Sequence, residues 1–241
     1  MTISPPAAAW SLARQRASCS VGGLASAIDL AHPQRGLEVM LPGATVPDRL
    51  LGIELEPDCG YTDAWCRGAD LTAVYETRAG GRLRATAMWR AQPAWLDAST
   101  DVWCREVIVS AQTALLEDAP RVSVGADLAG SRIERLAYEA GRLDIAPAPD
   151  RHAHGCLVIG PADRAVLFLV HPLDARGVTA RTAGGRVHIT AQVFPAAVEK
   201  GVLLRSRVIA AIGPAHDATE PGSWVATLAA AFAASPPVLT T

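Results

Sequence analysis

Four groups of side chains in this sequence have types and spacings with chemical meaning. In His152-Ala153-His154 two imidazoles stand two residues apart, which on a strand puts both on one face where they can share a metal ion. His171 and His188 could then supply a third ligand from neighbouring strands. The competing reading is a solvent-exposed loop, because the pair follows Pro147-Ala148-Pro149-Asp150 and has no acidic partner at a fixed offset. His171-Pro172-Leu173-Asp174 comes directly after an apolar run, where a buried strand hands residues to a rim, and His with Asp can make an acid/base couple there. A turn explains the same residues, with Pro172 stopping the strand and Asp174 bonding its own backbone. Glu199-Lys200-Gly201 offers a carboxylate at a strand entrance as a general base, against a charged turn that keeps sheet ends soluble.

The fourth group is aromatic and basic. Trp65, Trp89, Trp95 and Trp103 are close in sequence, with Tyr61 and Tyr75 nearby. Apolar ring faces bind sugars, and the adjacent Arg67, Arg84, Arg90 and Arg105 could hold carboxylate or sulfate groups bidentately. Core packing competes with this role. Trp89 has the parity of Leu83 and Ala87, whereas Trp95 follows Pro93 in a loop and is the tryptophan expected to be exposed. The candidate ligand-binding residues are therefore Arg67, Arg84, Arg90 and Trp95.

The elements that must position these residues read as strands. Val107, Val109 and Ala111 alternate with Glu106, Ser110 and Gln112, with Ile108 breaking the polar side, and Arg121 to Leu128 is β-branched at Val122 and Val124. A turn at Glu117-Asp118-Ala119-Pro120 suggests that these two runs form a central hairpin. Leu83, Ala85, Ala87 and Trp89 alternate with Arg82, Arg84, Thr86 and Arg90, which predicts a half-buried strand whose arginine row faces solvent or a groove. Gly36 to Leu41, Leu50 to Leu55, Asp70 to Glu76, Arg132 to Glu139, Cys156 to Ile159, Ala165 to Val170, Arg186 to Phe194 and Gly201 to Ile212 complete the strand candidates. Residues 145–151 read as a Pro-rich loop. Ala79-Gly80-Gly81-Arg82 recurs as Ala183-Gly184-Gly185-Arg186, each followed by an apolar residue and a later Thr-Ala, which marks either two equivalent hairpins, one per sheet, or a chance repeat of a good turn. The one helix has Ser223 as its cap and Trp224, Leu228 and Phe232 along one face.

Composition bounds the function classes. Half of the 241 residues are hydrophobic, enough for a sizeable core, and a formal net charge of −2 with a pI near 6.3 argues against nucleic-acid or polybasic membrane surfaces. No apolar run approaches the ~20 residues that span a bilayer, and the first residues lack a charged n-region before an apolar core. The five cysteines are scattered without a C-x-x-C pair, as expected of reduced thiols in a cytoplasmic protein without a structural zinc. P-loop, dinucleotide, nucleophile-elbow and H-E-x-x-H motifs are all absent, which removes several enzyme classes and implies no cofactor.

Leu50-Leu51-Gly52-Ile53, Arg67-Gly68-Ala69-Asp70-Leu71, Ile108-Val109-Ser110-Ala111-Gln112-Thr113, His171-Pro172, Glu199-Lys200-Gly201-Val202 and Pro237-Val238-Leu239-Thr240-Thr241 resemble an uncharacterised family of bacterial, planctomycete-type hypothetical proteins. The resemblance spans most of the chain from about residue 20, and its motifs imply structure and no activity. The all-β pattern is also similar to large sandwiches of the galactose mutarotase type, in architecture only.

These readings predict a flexible arm over residues 1–20 and, over 21–241, a single two-sheet antiparallel β-sandwich whose short C-terminal helix covers an edge or open end. Three functions fit it. One is a non-catalytic module for carbohydrate or a small anion, the second a sugar-active enzyme of mutarotase-like or lyase-like acid/base chemistry using His171, His154, Asp174 or Glu199, and the third a structural protein meeting a protein partner at its sheet edges.

Overall fold

Apolar residues at every second position need a second layer to cover them, and two large antiparallel sheets supply it. The computed structural model describes residues 9–41, 44–78, 82–93, 95–96, 102–139, 142–145, 152–194, 197–216, 218–220 and 222–236. Among them the chain opens with β1 (Ser11–Ala13), β2 (Arg16–Val21), β3 (Leu24–Asp29), β4 (Leu37–Val39) and β5 (Asp48–Glu54). It continues with β6 (Cys59–Arg67), β7 (Asp70–Thr77), β8 (Leu83–Arg90), β9 (Trp103–Thr113), β10 (Glu117–Asp118) and β11 (Ser123–Ala129). Then come β12 (Arg132–Glu139), β13 (Arg142–Ile145), β14 (Gly155–Gly160), β15 (Arg164–Val170), β16 (Val178–Ala183), β17 (Arg186–Gln192), β18 (Val198–Glu199), β19 (Leu204–Pro214) and the helix α1 (Trp224–Ala234). The eight-stranded sheet has the order β1-β2-β3-β4-β5-β11-β17-β16, and the nine-stranded sheet β13-β12-β14-β15-β19-β9-β8-β7-β6.

One continuous core lies between the sheets. Leu37, Leu50, Ile53, Val124, Leu128, Val187 and Ile189 from one meet Leu83, Trp89, Val107, Val109, Val166, Phe168 and Val208 from the other. A second core lies on the outer face of the nine-stranded sheet, where Leu167, Leu169, Ile209 and Ala211 meet Val225, Leu228, Ala229 and Phe232 of α1. That second layer explains why β15 reads as an unbroken apolar run: Val166 and Phe168 face one core, Leu167 and Leu169 the other. The Ser223 hydroxyl accepts from the Ala226 N–H at 3.2 Å, as an N-cap should. The helix therefore covers a face of the sheet rather than the edge or end expected from the sequence, and its buried stripe includes Val225 where the sequence pointed to Trp224. The Trp224 indole instead donates to the Pro214 carbonyl at 2.9 Å.

Two further expectations are overturned. β9 and β11 are strands, but they belong to different sheets: β9 pairs with β8 and β19, β11 with β5 and β17. The acidic turn between them is a crossover, in which β10 pairs with β18. Alternation reveals a strand and its faces but carries no information on its partner. The expected N-terminal arm is also shorter, because β1 and β2 pair with each other and β2 with β3, burying Ala17 and Cys19. The repeated Ala-Gly-Gly-Arg does fall at one hairpin in each sheet, β7–β8 and β16–β17. In the second, Gly184 and Gly185 have φ of 57° and 74°, the two-residue turn that matches strand twist; residues 79–81 of the first, like 146–151 of the Pro-rich loop, lie outside the described residues. No helix among the described residues is long and apolar enough to cross a membrane.

Candidate functional site

Leu50 and Leu51 are adjacent on β5 and both fully buried in the one core between the sheets, whereas regular alternation would send them to opposite faces. Leu51 has φ of 54°, and the pairing with β11 shifts there, so that Gly52 faces Gly125 while Arg49 faces Asp127. This is a β-bulge. A leucine in the left-handed region costs about 1–3 kcal/mol, and part of that is offset by the Leu51 carbonyl, which accepts from the Trp89 indole N–H at 3.1 Å across the sandwich.

Beyond the bulge, Gly52 and Gly125 lie side by side on the outer face of the eight-stranded sheet. The Pro33–Arg35 turn seats on Gly52, where an added Cβ would come 2.5 Å from the Gln34 carbonyl oxygen. An open groove of about 370 Å³ results. At one end the Ser123 hydroxyl faces the Glu54 carboxylate at 3.4 Å, and at the other stand Arg49, Asp127 and His188, with Gln34 and Arg35 on the wall. Thr190 shares the His188 side of β17. Asp127 accepts from Arg186 Nε at 2.6 Å and lies 3.5 Å from His188 Nδ1, so its charge is compensated and its position fixed. Such a groove can hold a polar ring against Gly125, beside the turn that covers Gly52, and bond its hydroxyls from the rim.

The nine-stranded sheet gathers four of the residues singled out in the sequence, Arg90, Trp95, His171 and Asp174, around an ion-pair row. Asp70, Arg90 and Glu106 are cross-strand neighbours on β7, β8 and β9, and Arg207 follows on β19. Arg90 binds Asp70 at 3.0 and 3.2 Å and reaches Glu106 at 3.4 Å, while Arg207 binds Glu106 at 2.7 Å. Charges of alternating sign thus cross four strands, with Glu106 wholly buried. Arg207 also donates to the carbonyl of Pro236 at 3.0 Å, just beyond α1, and lies over the Phe232 ring. His171 and Trp95 contact that same ring, with centroids 5.2 and 5.3 Å away, and Asp174 accepts from the Arg207 backbone N–H at 3.0 Å. Trp95 is therefore half-buried against the helix, not exposed as its loop position suggested. The His171 backbone carbonyl accepts from the N–H groups of Asp174 and Ala175, which makes this stretch a turn.

Burial, and then the Arg207 charge, hold the His171 ring below its usual pKa of 6.5. As pH falls through that value the unfolded chain takes up the proton and the folded chain does not, so stability falls with pH over this window. Burial raises the Asp174 carboxyl above 3.8, with the opposite sign: its contribution is present below that value and is lost as pH rises through the folded pKa. Replacing His171 by Gln should flatten the decline of the melting temperature between about pH 7 and pH 5; an unchanged slope would show that the ring is not its source.

The remaining sequence candidates are separate from both places. Arg84 is half-exposed and pairs with Glu76 at 3.5 Å, and Arg67 is exposed at the end of β6. Glu199 is exposed on β18, directly opposite Glu117. His152 is exposed, and His154 Nδ1 accepts from the Tyr138 N–H at 3.1 Å. Among the described residues no group of three or more His, Cys, Asp or Glu side chains is placed to hold a metal ion. Arg105 has the inward parity of Trp103 and Val107, lies over the Trp103 ring, and is pushed down to a pKa of about 10 by burial.

Sequence reasoning missed the groove. Its residues come from the 3-10 turn, β5, β11 and β17, which adjoin only once the two central strands are assigned to different sheets. The available signals were Gly52 inside an apolar strand, a mark of close backbone approach, and the polar row His188, Thr190 and Gln192.

No family model matches the chain, and no curated protein matches it in sequence. Among solved structures it is similar to one described as a putative kojibiose phosphorylase from human microbiome, over 88% of this chain and 34% of that chain, with a TM-score of 0.46 and 7% sequence identity. The chain thus spans about a third of that protein's length.

Proposed function

We propose that the protein is a non-catalytic carbohydrate-binding β-sandwich, with the groove over Gly125, walled by the turn seated on Gly52, as its binding surface. The observation that carries this reading is the combination of a glycine floor with a rim of amide, hydroxyl, carboxylate, imidazole and guanidinium groups. A saccharide needs both, because its ring faces stack on flat surfaces and its hydroxyls need donors and acceptors at the edge. A second reading, a sugar-active enzyme, draws on the His188–Asp127 pair, which has the elements of an acid/base couple. The Arg84, Arg67, Arg90 and Trp95 positions do not share this surface, so the proposal moves the site from the arginine row of β8 to the opposite sheet.

A thermal-shift panel of neutral and acidic oligosaccharides tests it. A ligand at 100 times its Kd stabilises by about 2.7 kcal/mol, which should raise the melting point by roughly 5–10 °C. Thr190→Trp, which fills the groove from its rim, should abolish the shift. Absence of any shift, or a shift that survives Thr190→Trp, would overturn the assignment.

A further inference from the structure

We infer that the saccharide held in this groove is acidic, with its carboxylate bound between Arg49 and Arg35. The inference rests on the carbohydrate reading above and follows from which charges in the groove are already engaged. Asp127 is occupied by Arg186 at 2.6 Å, and Arg186 also donates to the Asp127 and Pro47 carbonyls at 2.8 and 3.3 Å. That pair presents no net charge to a ligand. Glu54 stands at the far end of β5 from Arg49, next to Ser123.

The two arginines are differently placed. Among the described residues Arg49 reaches only Glu38 as an ion-pair partner, at 3.8 Å, and Glu38 is shared with Arg16 at 3.9 Å. Arg35 is exposed and has no carboxylate within ion-pair distance among the described residues. Asp29 feels its charge, but is already bonded to the His32 ring at 2.9 Å and the Ala31 N–H at 3.0 Å. Two guanidinium groups therefore border one end of the groove, where Glu38 is 3.8 Å from Arg49 and shared with Arg16, and Asp127 is already bonded to Arg186. Their planar forks match a carboxylate better than a hydroxyl. Seating a uronic acid there leaves its hydroxyls facing Thr190, Gln34 and, further along the strand, Glu54.

Their position also explains the turn that carries Arg35. Gly52 lets the Pro33–Arg35 backbone descend onto β5, and this brings Arg35 over the same strand that presents Arg49. A bulge, a glycine and a 3-10 turn thus converge on one cationic corner.

Calorimetric titration with trigalacturonate, a hyaluronan tetrasaccharide, the fully methyl-esterified trigalacturonate and neutral maltotriose separates the possibilities. We expect an acidic saccharide to bind, its neutral counterparts to bind at least tenfold more weakly, and Arg49→Gln and Arg35→Gln each to weaken the acid about tenfold. Binding of the acid should also weaken with added salt. If neutral and acidic saccharides bind equally, or if the arginine variants leave the acid unaffected, the acidic assignment fails while the groove remains a carbohydrate site. If none of the four binds, both fail together. Because Arg49 and Arg35 are outside both cores, melting curves of the variants should overlay that of the parent, so a loss of binding is not a loss of fold.

Discussion

Glu106→Ala should destabilise the protein by about 3–5 kcal/mol in urea unfolding, the cost of removing one partner of a buried ion pair. The carboxylate is wholly buried and bonded to Arg207, whose side chain is 5% exposed, with Arg90 on its other side. Removing it leaves the Arg207 charge in the second core with, among the described residues, only the carbonyls of Ser235 and Pro236 as acceptors for its side chain. Arg90 keeps Asp70, so most of the loss falls on Arg207. The paired replacement Glu106→Leu with Arg207→Met should recover most of the stability, since an apolar pair of similar volume is often no worse than a buried ion pair. A single-variant loss below about 1 kcal/mol would mean that water reaches Arg207 and that the helix end does not seal it.

This ladder shows what the sequence made legible and what it did not. The alternation on β8 correctly put Leu83, Ala85, Ala87 and Trp89 inward and the arginines outward. Outward, however, need not mean solvent or a groove. At Arg90 it means Asp70 and Glu106 in a covered row, because neighbouring strands and α1 shield a face that period-two alternation alone cannot distinguish from a wet one. The polar side of β9 is covered in the same way, with Glu106 and Ser110 both buried where alternation predicts a half-buried strand. The helix and its cap were legible from local chemistry, since Ser223 acts within one turn of chain. The groove was not, because Arg49 and Asp127, or Glu54 and Ser123, become neighbours only through long-range pairing. The bulge at Leu51 has its local signal in the neighbouring Gly52, not in the leucine, whose left-handed backbone is bonded through its carbonyl to the distant Trp89 indole.

Gly52→Val should cost about 3 kcal/mol, a large overpacking penalty, and lower the melting temperature by roughly 6–12 °C for a domain of this size. The reason is steric, since the backbone at Gly52 does not require glycine. A Cβ there would meet the Gln34 carbonyl oxygen at 2.5 Å and the Gly36 nitrogen at 3.1 Å, both main-chain atoms that no rotamer change can move aside. The Pro33–Arg35 turn must then lift from β5, carrying Gln34 and Arg35 off the groove. Gly125→Ala is the contrasting variant. Its Cβ would meet only the Ile189 carbonyl oxygen, at 2.9 Å, so a cost of about 1 kcal/mol is expected. Both replacements should reduce saccharide binding, Gly125→Ala by roughening the floor with the wall in place and Gly52→Val by displacing the wall. Equal stability of the two variants would show that the turn is not seated on Gly52. Binding that survives both would place the ligand on another face of the molecule, however stable each variant proved to be.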